Sequence, residues 1–245
     1  MATQHPDCGK LPPNAIAPQE KHLLNATVPT SRARDSHRTL IIVLTVLAAA
    51  LLWFVSDKVH YLINYSLASY TDYYWPRRAG LLPHLLGGSL AIVAGLVQIW
   101  LGLTGRVSTL HRTLGKVYAT GVLIGSVGGI YMALTIPPGY RPYAAGLIGL
   151  DVAWIVTTGM ALYAIHLRNI EQHRDWMLRS YTVTFAFVTF RLATLWVHRW
   201  LGLADDDPVA DGIDTAVAWA CWALPLLLAE PLIQLRSMRR PVRRV

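Results

Sequence analysis

WMLRSYTVTFAFVTFRLATLWV, residues 176–197, is the stretch whose reading decides the fold. It is long enough to cross a bilayer, since about 20 residues rising 1.5 Å each cover a hydrocarbon core. Arg191 interrupts its apolar run, with Tyr181 to Phe190 before it and Leu192 to Val197 after. An arginine near the centre of a lipid-embedded helix costs about 2.5–3.5 kcal/mol on insertion scales, and such a residue marks a site by default.

The same character extends along the chain. Of the 245 residues 53% are hydrophobic, and the mean hydropathy is +0.37. Six apolar segments follow one another: 39–55, 81–104, 114–136, 143–167, 176–197 and 213–235. Their lengths predict an all-α, polytopic integral membrane protein, with six transmembrane helices around a four-helix core made by the second to fifth. Single Gly and Pro residues within them do not argue against helix, because neighbouring helices satisfy the freed backbone groups. Residues 1–38, rich in Pro, Ala, Thr and charge and without a signal-peptide pattern, are expected as a disordered cytoplasmic tail. Residues 39–235 form the membrane domain, and 236–245 a basic cytoplasmic tail. Of the 22 Lys and Arg, sixteen fall in the two termini and the even loops, and five on the opposite side. The positive-inside rule then puts both termini in the cytoplasm.

The net charge of +8 belongs to this arrangement. Arginines beside helix ends meet anionic headgroups, and neither zinc spacing nor interleaved basic and aromatic residues points to nucleic acid. Cys8 and Cys221 make no disulfide framework and no CxxC motif. The acidic run from Asp205 to Asp211 lacks the glycine and closing glutamate of a calcium loop, and is expected to cap the sixth helix. Between the first two helices Tyr61, Tyr65, Tyr70, Tyr73, Tyr74 and Trp75 crowd residues 57–80. Amphipathic rings favour the headgroup zone, so this segment is read as an interfacial anchor, with a lid over an outward-facing cavity as the alternative.

Helical periodicity aligns the polar residues. A step of 18 residues is five turns, so His173 and Arg191 project the same way, with Ser180, Thr184 and His198 close to that line. This stripe must face other helices. His84, Gly88, Ala91, Gly95 and Gln98 make a comparable stripe on the second helix, and Gly121, Gly125 and Gly129 have GxxxG spacing on the third. Asp151 lies about 12 Å and Arg191 about 10 Å from the same boundary, so the two are expected to pair. With His84 and Tyr131 they compose a candidate catalytic set for acid–base chemistry on a lipophilic small molecule. A lock between helices is the structural reading of the same residues.

A second group lies at the opposite boundary. His111-Arg112 opens the third helix, His173-Arg174 the fifth, and His166 closes the fourth. Histidines so placed can bind haem iron with arginines on the propionates; the set is His111, His173, Arg112 and Arg179. Snorkelling of polar residues at helix ends is the plainer account. Nothing resembling HExxH, a nucleophile elbow or a phosphate-cradling loop occurs.

Pro83-His84-Leu85-Leu86-Gly87 with Gln98, the His-Arg-x-x-Gly-x-x-Tyr of 111–118, and His173-Arg174-Asp175-Trp176-Met177-Leu178-Arg179-Ser180-Tyr181 with Thr184 and Arg191 together resemble the predicted membrane protein family called domain of unknown function 2306. The likeness spans roughly residues 80–195 and implies an architecture without an activity. A looser likeness, to ascorbate-dependent transmembrane cytochromes b, implies haem b between helices, with His111 and His173 imitating one ligand pair. Three readings follow: a haem-binding or redox membrane protein, a membrane-embedded enzyme, and a transporter or non-catalytic assembly factor.

Overall fold

A computed structural model describes residues 63–103, 109–204 and 207–238, with scattered positions between 45 and 61. The chain divides into two units, 1–46 and 47–245, and the second holds every helix named below. Most of the first expected span, 39–55, the expected amino tail 1–38 and residues 239–245 of the expected carboxyl tail lie outside the described residues, while 236–238 continue the last helix. Among those residues there is no strand.

A short helix, α1 (Leu67–Tyr74), precedes α2 (Arg78–Leu103), α3 (Thr109–Leu134), α4 (Arg141–His166), α5 (Ile170–Leu201) and α6 (Pro208–Met238). The five long helices are each apolar and long enough to cross a membrane. The helix α5 outruns its apolar segment by more than a turn at its start, and polar or glycine residues cap both its ends. Asn169 accepts a hydrogen bond from Gln172 N at 3.1 Å to open α5, and Gly202, at φ 66°, closes it in the left-handed conformation that glycine adopts without strain. Asp207 accepts from Val209 N at 2.8 Å, so the acidic loop does cap the last helix. Only three residues separate α4 from α5, which makes them antiparallel neighbours.

The helices α2, α3, α4 and α5 close into a four-helix bundle, each packed on the next and α5 back on α2; α6 docks on α4 and α5. Glycines set the α2–α3 distance. A Cβ on Gly87 would stand 2.6 Å from Gly121 O and 2.7 Å from Gly125 Cα, and one on Gly128 would stand 2.6 Å from His84 N. Backbone therefore meets backbone, as small residues allow inside a membrane. The third glycine of this contact is Gly128, while Gly129 faces elsewhere. Trp219 and Trp222 fasten α6 by donating to Pro142 O at 3.1 Å and Gly146 O at 3.2 Å. The far side of α6 turns outward Leu224, Leu227, Leu228 and Leu232, the surface that a lipid-facing helix presents.

Candidate functional site

The bundle interior is polar in two layers. In the central one Tyr118 crosses from α3 to α5, its hydroxyl 2.6 Å from Ser180 Oγ and 2.8 Å from Thr184 Oγ1. Trp154 Nε1 donates to Thr184 Oγ1 at 2.7 Å, and Thr158 Oγ1 lies 2.6 Å from Ser180 Oγ. All five side chains are buried, so Ser180 and Thr184 of the α5 stripe face protein as expected, whereas His173 and His198 are half-buried and Arg191 is exposed.

One turn along α4 from Trp154 the helices part around a cavity of about 140 Å³. His84, Asp151, Phe187, Phe190, Arg191 and Tyr143 line it from α2, α4 and α5, and Gly129 from α3. The aromatic segment before α2 supplies Lys58, Tyr61, Tyr73, Tyr74 and Arg77. That segment is thus a wall of the cavity. Its own packing is a cluster of rings, with Tyr61 on Tyr70 at 5.4 Å and Tyr70 on Trp75 at 5.8 Å between centroids. Burial raises the Tyr70 phenol above its ordinary range, and its hydroxyl donates to Tyr61 O at 2.6 Å. Arg77 ties the segment to the end of α3, donating to Tyr73 O at 2.7 Å and Thr135 O at 2.9 Å.

Asp151 is only 3% exposed, and its Oδ1 has no hydrogen-bond partner among the described residues. A Cβ on Gly129 would overlap Asp151 Oδ2 and come within 2.9 Å of His84 Nδ1, so carboxyl and imidazole flank one spot that only a glycine leaves open. His84 Nδ1 donates to Gly125 O at 3.0 Å, which leaves Nε2 as the ring's acceptor. Phe187 meets this imidazole edge-on at 5.2 Å and Trp154 at 4.9 Å, joining the two layers.

Arg191 corrects the expectation of an ion pair. It lines the same cavity as Asp151, but no salt bridge forms between them. Its guanidinium lies within electrostatic range of the phenols of Tyr74, Tyr143, Tyr61 and Tyr73 and of the His84 imidazole. Matched depth brought the two charges to one cavity; the rotation of each helix about its axis keeps them apart. Tyr131 is not part of this site. It is 44% exposed and packs beside Gly80, on the face of α3 turned away from the cavity. Tyr143 and Tyr74 hold the place expected for it, and the density of tyrosine in residues 57–80 was the available signal for the latter.

The other histidine group is also assembled in part. His111 and His173 lie close enough for their charges to interact. His173 Nδ1 donates to Ala161 O at 2.8 Å, whereas His111 Nδ1 is buried without a partner among the described residues. Gln98 Nε2 donates to His111 O. Arg179, expected near a propionate, is committed elsewhere: Nε and Nη2 each reach Glu230 at 2.8 Å, fixing α6 to α5. Arg112 and His166 are exposed. Among the described residues no group of three or more His, Cys, Asp or Glu could hold a metal ion.

Five apolar helices long enough to cross a membrane, four of them around a polar interior with a cavity, define a multi-pass integral membrane protein. The chain belongs to the predicted membrane protein family DUF2306, whose model matches residues 81–233, from α2 nearly to the end of α6. No curated protein and no solved structure matches it.

Proposed function

We propose that the cavity receives one lipophilic small molecule bearing polar groups, and that His84 and Asp151 serve it as an acid–base pair. The observation that carries this reading is the unpartnered carboxyl of Asp151. A buried polar group without a hydrogen bond costs roughly 1–3 kcal/mol, more when charged, so a folded chain keeps one where something else completes it. A ligand hydroxyl supplies the missing donor. The His84 imidazole, which lines the same cavity and whose Nδ1 is committed to Gly125 O, can take or return a proton through Nε2, and Arg191 draws an oxygen of the ligand towards the tyrosines. The test is thermal stabilisation of the purified, lipid-embedded protein across a library of small amphipathic molecules. Compounds that raise the melting temperature of the wild type should leave Asp151→Val unmoved; a library without a single such compound would refute the reading.

One observation favours a second reading, a b-type haem between His111 and His173. A metal-binding histidine usually donates its other ring N–H to a carbonyl, as His173 does to Ala161, and the bare Nδ1 of His111 lacks a partner. A haem there would supply one-electron chemistry, with Arg112 rather than Arg179 beside a propionate. Protein made with ample haem should then show a Soret band that His173→Ala removes, and a colourless preparation would end this reading. For orientation, we infer cytoplasmic termini from the sixteen-to-five division of basic residues. Labelling of Ser237→Cys by an impermeant reagent outside intact cells would reverse it.

A further inference from the structure

The class of molecule follows from the cavity if the cavity is a small-molecule site, the reading on which this inference rests. Size limits it first. The space is about 140 Å³, and a cavity of about 150 Å³ takes a benzene ring. The enclosed part of the ligand is therefore about one six-membered ring, and any lipid tail stays outside. The walls limit it next. Phe187, Phe190 and Tyr143 offer flat faces, the last two with centroids 6.3 Å apart, and aromatic walls suit an aromatic guest in stacked or edge-on contact.

The polar groups complete the description because they differ in kind. The Asp151 carboxyl is an acceptor whose Oδ1 meets no donor. Arg191 can only donate, and the polar groups near it are phenols and the His84 imidazole, with no salt bridge to a carboxylate among the described residues. An ammonium on the ligand would suit Asp151 but bring a further charge out of water; a hydroxyl donates without that cost. We infer that the cavity binds a hydroxylated aromatic ring with a second oxygen function across the ring, its hydroxyl on Asp151 and the other oxygen towards Arg191. A membrane-borne hydroquinone headgroup and a soluble para-hydroxyaryl acid share this chemistry.

The experiment is calorimetry on the full chain in phosphatidylcholine nanodiscs with three ring probes, namely hydroquinone, para-hydroxybenzoate and 1,4-dimethoxybenzene, and one aliphatic probe, 1,4-butanediol. Both hydroxylated rings should bind, and the dimethoxy compound, which cannot donate, should bind at least tenfold more weakly. Asp151→Val should weaken the hydroxylated rings about tenfold or more and leave the dimethoxy compound unchanged. Arg191→Gln should weaken para-hydroxybenzoate most, since that probe carries the anion. Phe187→Leu keeps the polar groups while removing a flat face; it should weaken the ring probes and serves as the second variant if Asp151→Val does not fold. Stoichiometric tailed quinol in the organic extract of wild-type protein, lost from the Asp151 variant, identifies the membrane source; its absence beside para-hydroxybenzoate binding identifies the soluble one. Equal affinity for dimethoxybenzene and hydroquinone, or an unchanged affinity in a folded Asp151→Val protein, overturns the assignment. Butanediol binding that depends on Asp151, with no ring bound, would leave the pocket standing and refute the ring. Failure of all four probes and of the library screen would remove both.

Discussion

The two polar layers of the bundle share α3, α4 and α5, one turn apart on α4 (Trp154 and Asp151) and two on α5 (Thr184 and Arg191), and they treat their polar atoms in opposite ways. Around Tyr118 every side-chain hydroxyl and the Trp154 indole has a partner within 2.8 Å. Around the cavity Asp151 Oδ1 has none, and Arg191 forms no salt bridge with a carboxylate among the described residues. Burial does not separate Asp151 from the central layer, since Asp151 at 3% and Trp154 at 0% are both inside, although Arg191 is exposed. The supply of partners does. A network complete in itself specifies how helices pack; Asp151 Oδ1, like Ser126 Oγ and Thr194 Oγ1 elsewhere in the bundle, has no partner among the described residues, and of the three only Asp151 lines the cavity.

That contrast can be broken at several points. The largest effect should come from Trp154→Ala, which empties a fully buried site and strips Thr184 of its donor; about 3–5 kcal/mol of stability should be lost, seen as the largest fall in melting temperature of any single change discussed here. Thr158→Val should cost less, about 1–3 kcal/mol, because it leaves Ser180 short of one partner. In the cavity layer Asp151→Val should not destabilise the protein, and a small gain is expected, since an unsatisfied carboxyl is exchanged for an apolar group of similar size. A loss as large as that of Trp154→Ala would mean that Asp151 belongs to the packing after all. The smallest quantity is the coupling in a double-mutant cycle between Asp151→Val and Arg191→Leu. Without an ion pair it should stay within about 0.5 kcal/mol, and a coupling of several kcal/mol would restore the pair.

A sharper use of the same comparison concerns Gly129. Its hydrogen leaves room for Asp151 Oδ2 and His84 Nδ1, so Gly129→Ala should displace one of them and abolish ligand binding. Gly121→Ala acts on packing instead. Its Cβ would stand 2.8 Å from Gly87 O and 2.9 Å from Ala91 N, forcing α2 from α3 and lowering the melting temperature. Thermal melts read beside binding isotherms separate the two glycines, which a GxxxG pattern alone treats as equivalent.

Much of the architecture was legible in the chain by itself. Span lengths, the all-α class, the buried face of α5 and the capping role of the acidic loop follow from hydropathy and a 3.6-residue period, both properties of neighbouring residues. Depth is also nearly local, since each residue adds 1.5 Å of rise; hence Asp151, His84 and Arg191 could be assigned to one level and do line one cavity. Only the tertiary structure decided which of these groups touch. Whether Arg191 meets Asp151 or Tyr74, whether Tyr131 or Tyr143 enters the cavity, and whether Arg179 turns to a cofactor or to Glu230, 51 residues away, depends on how each helix is rotated against its neighbours. That rotation is set by close contacts such as Gly87 on Gly121, summed over the whole bundle, and a difference of a few tens of degrees exchanges one partner for another while the pattern along the chain stays the same.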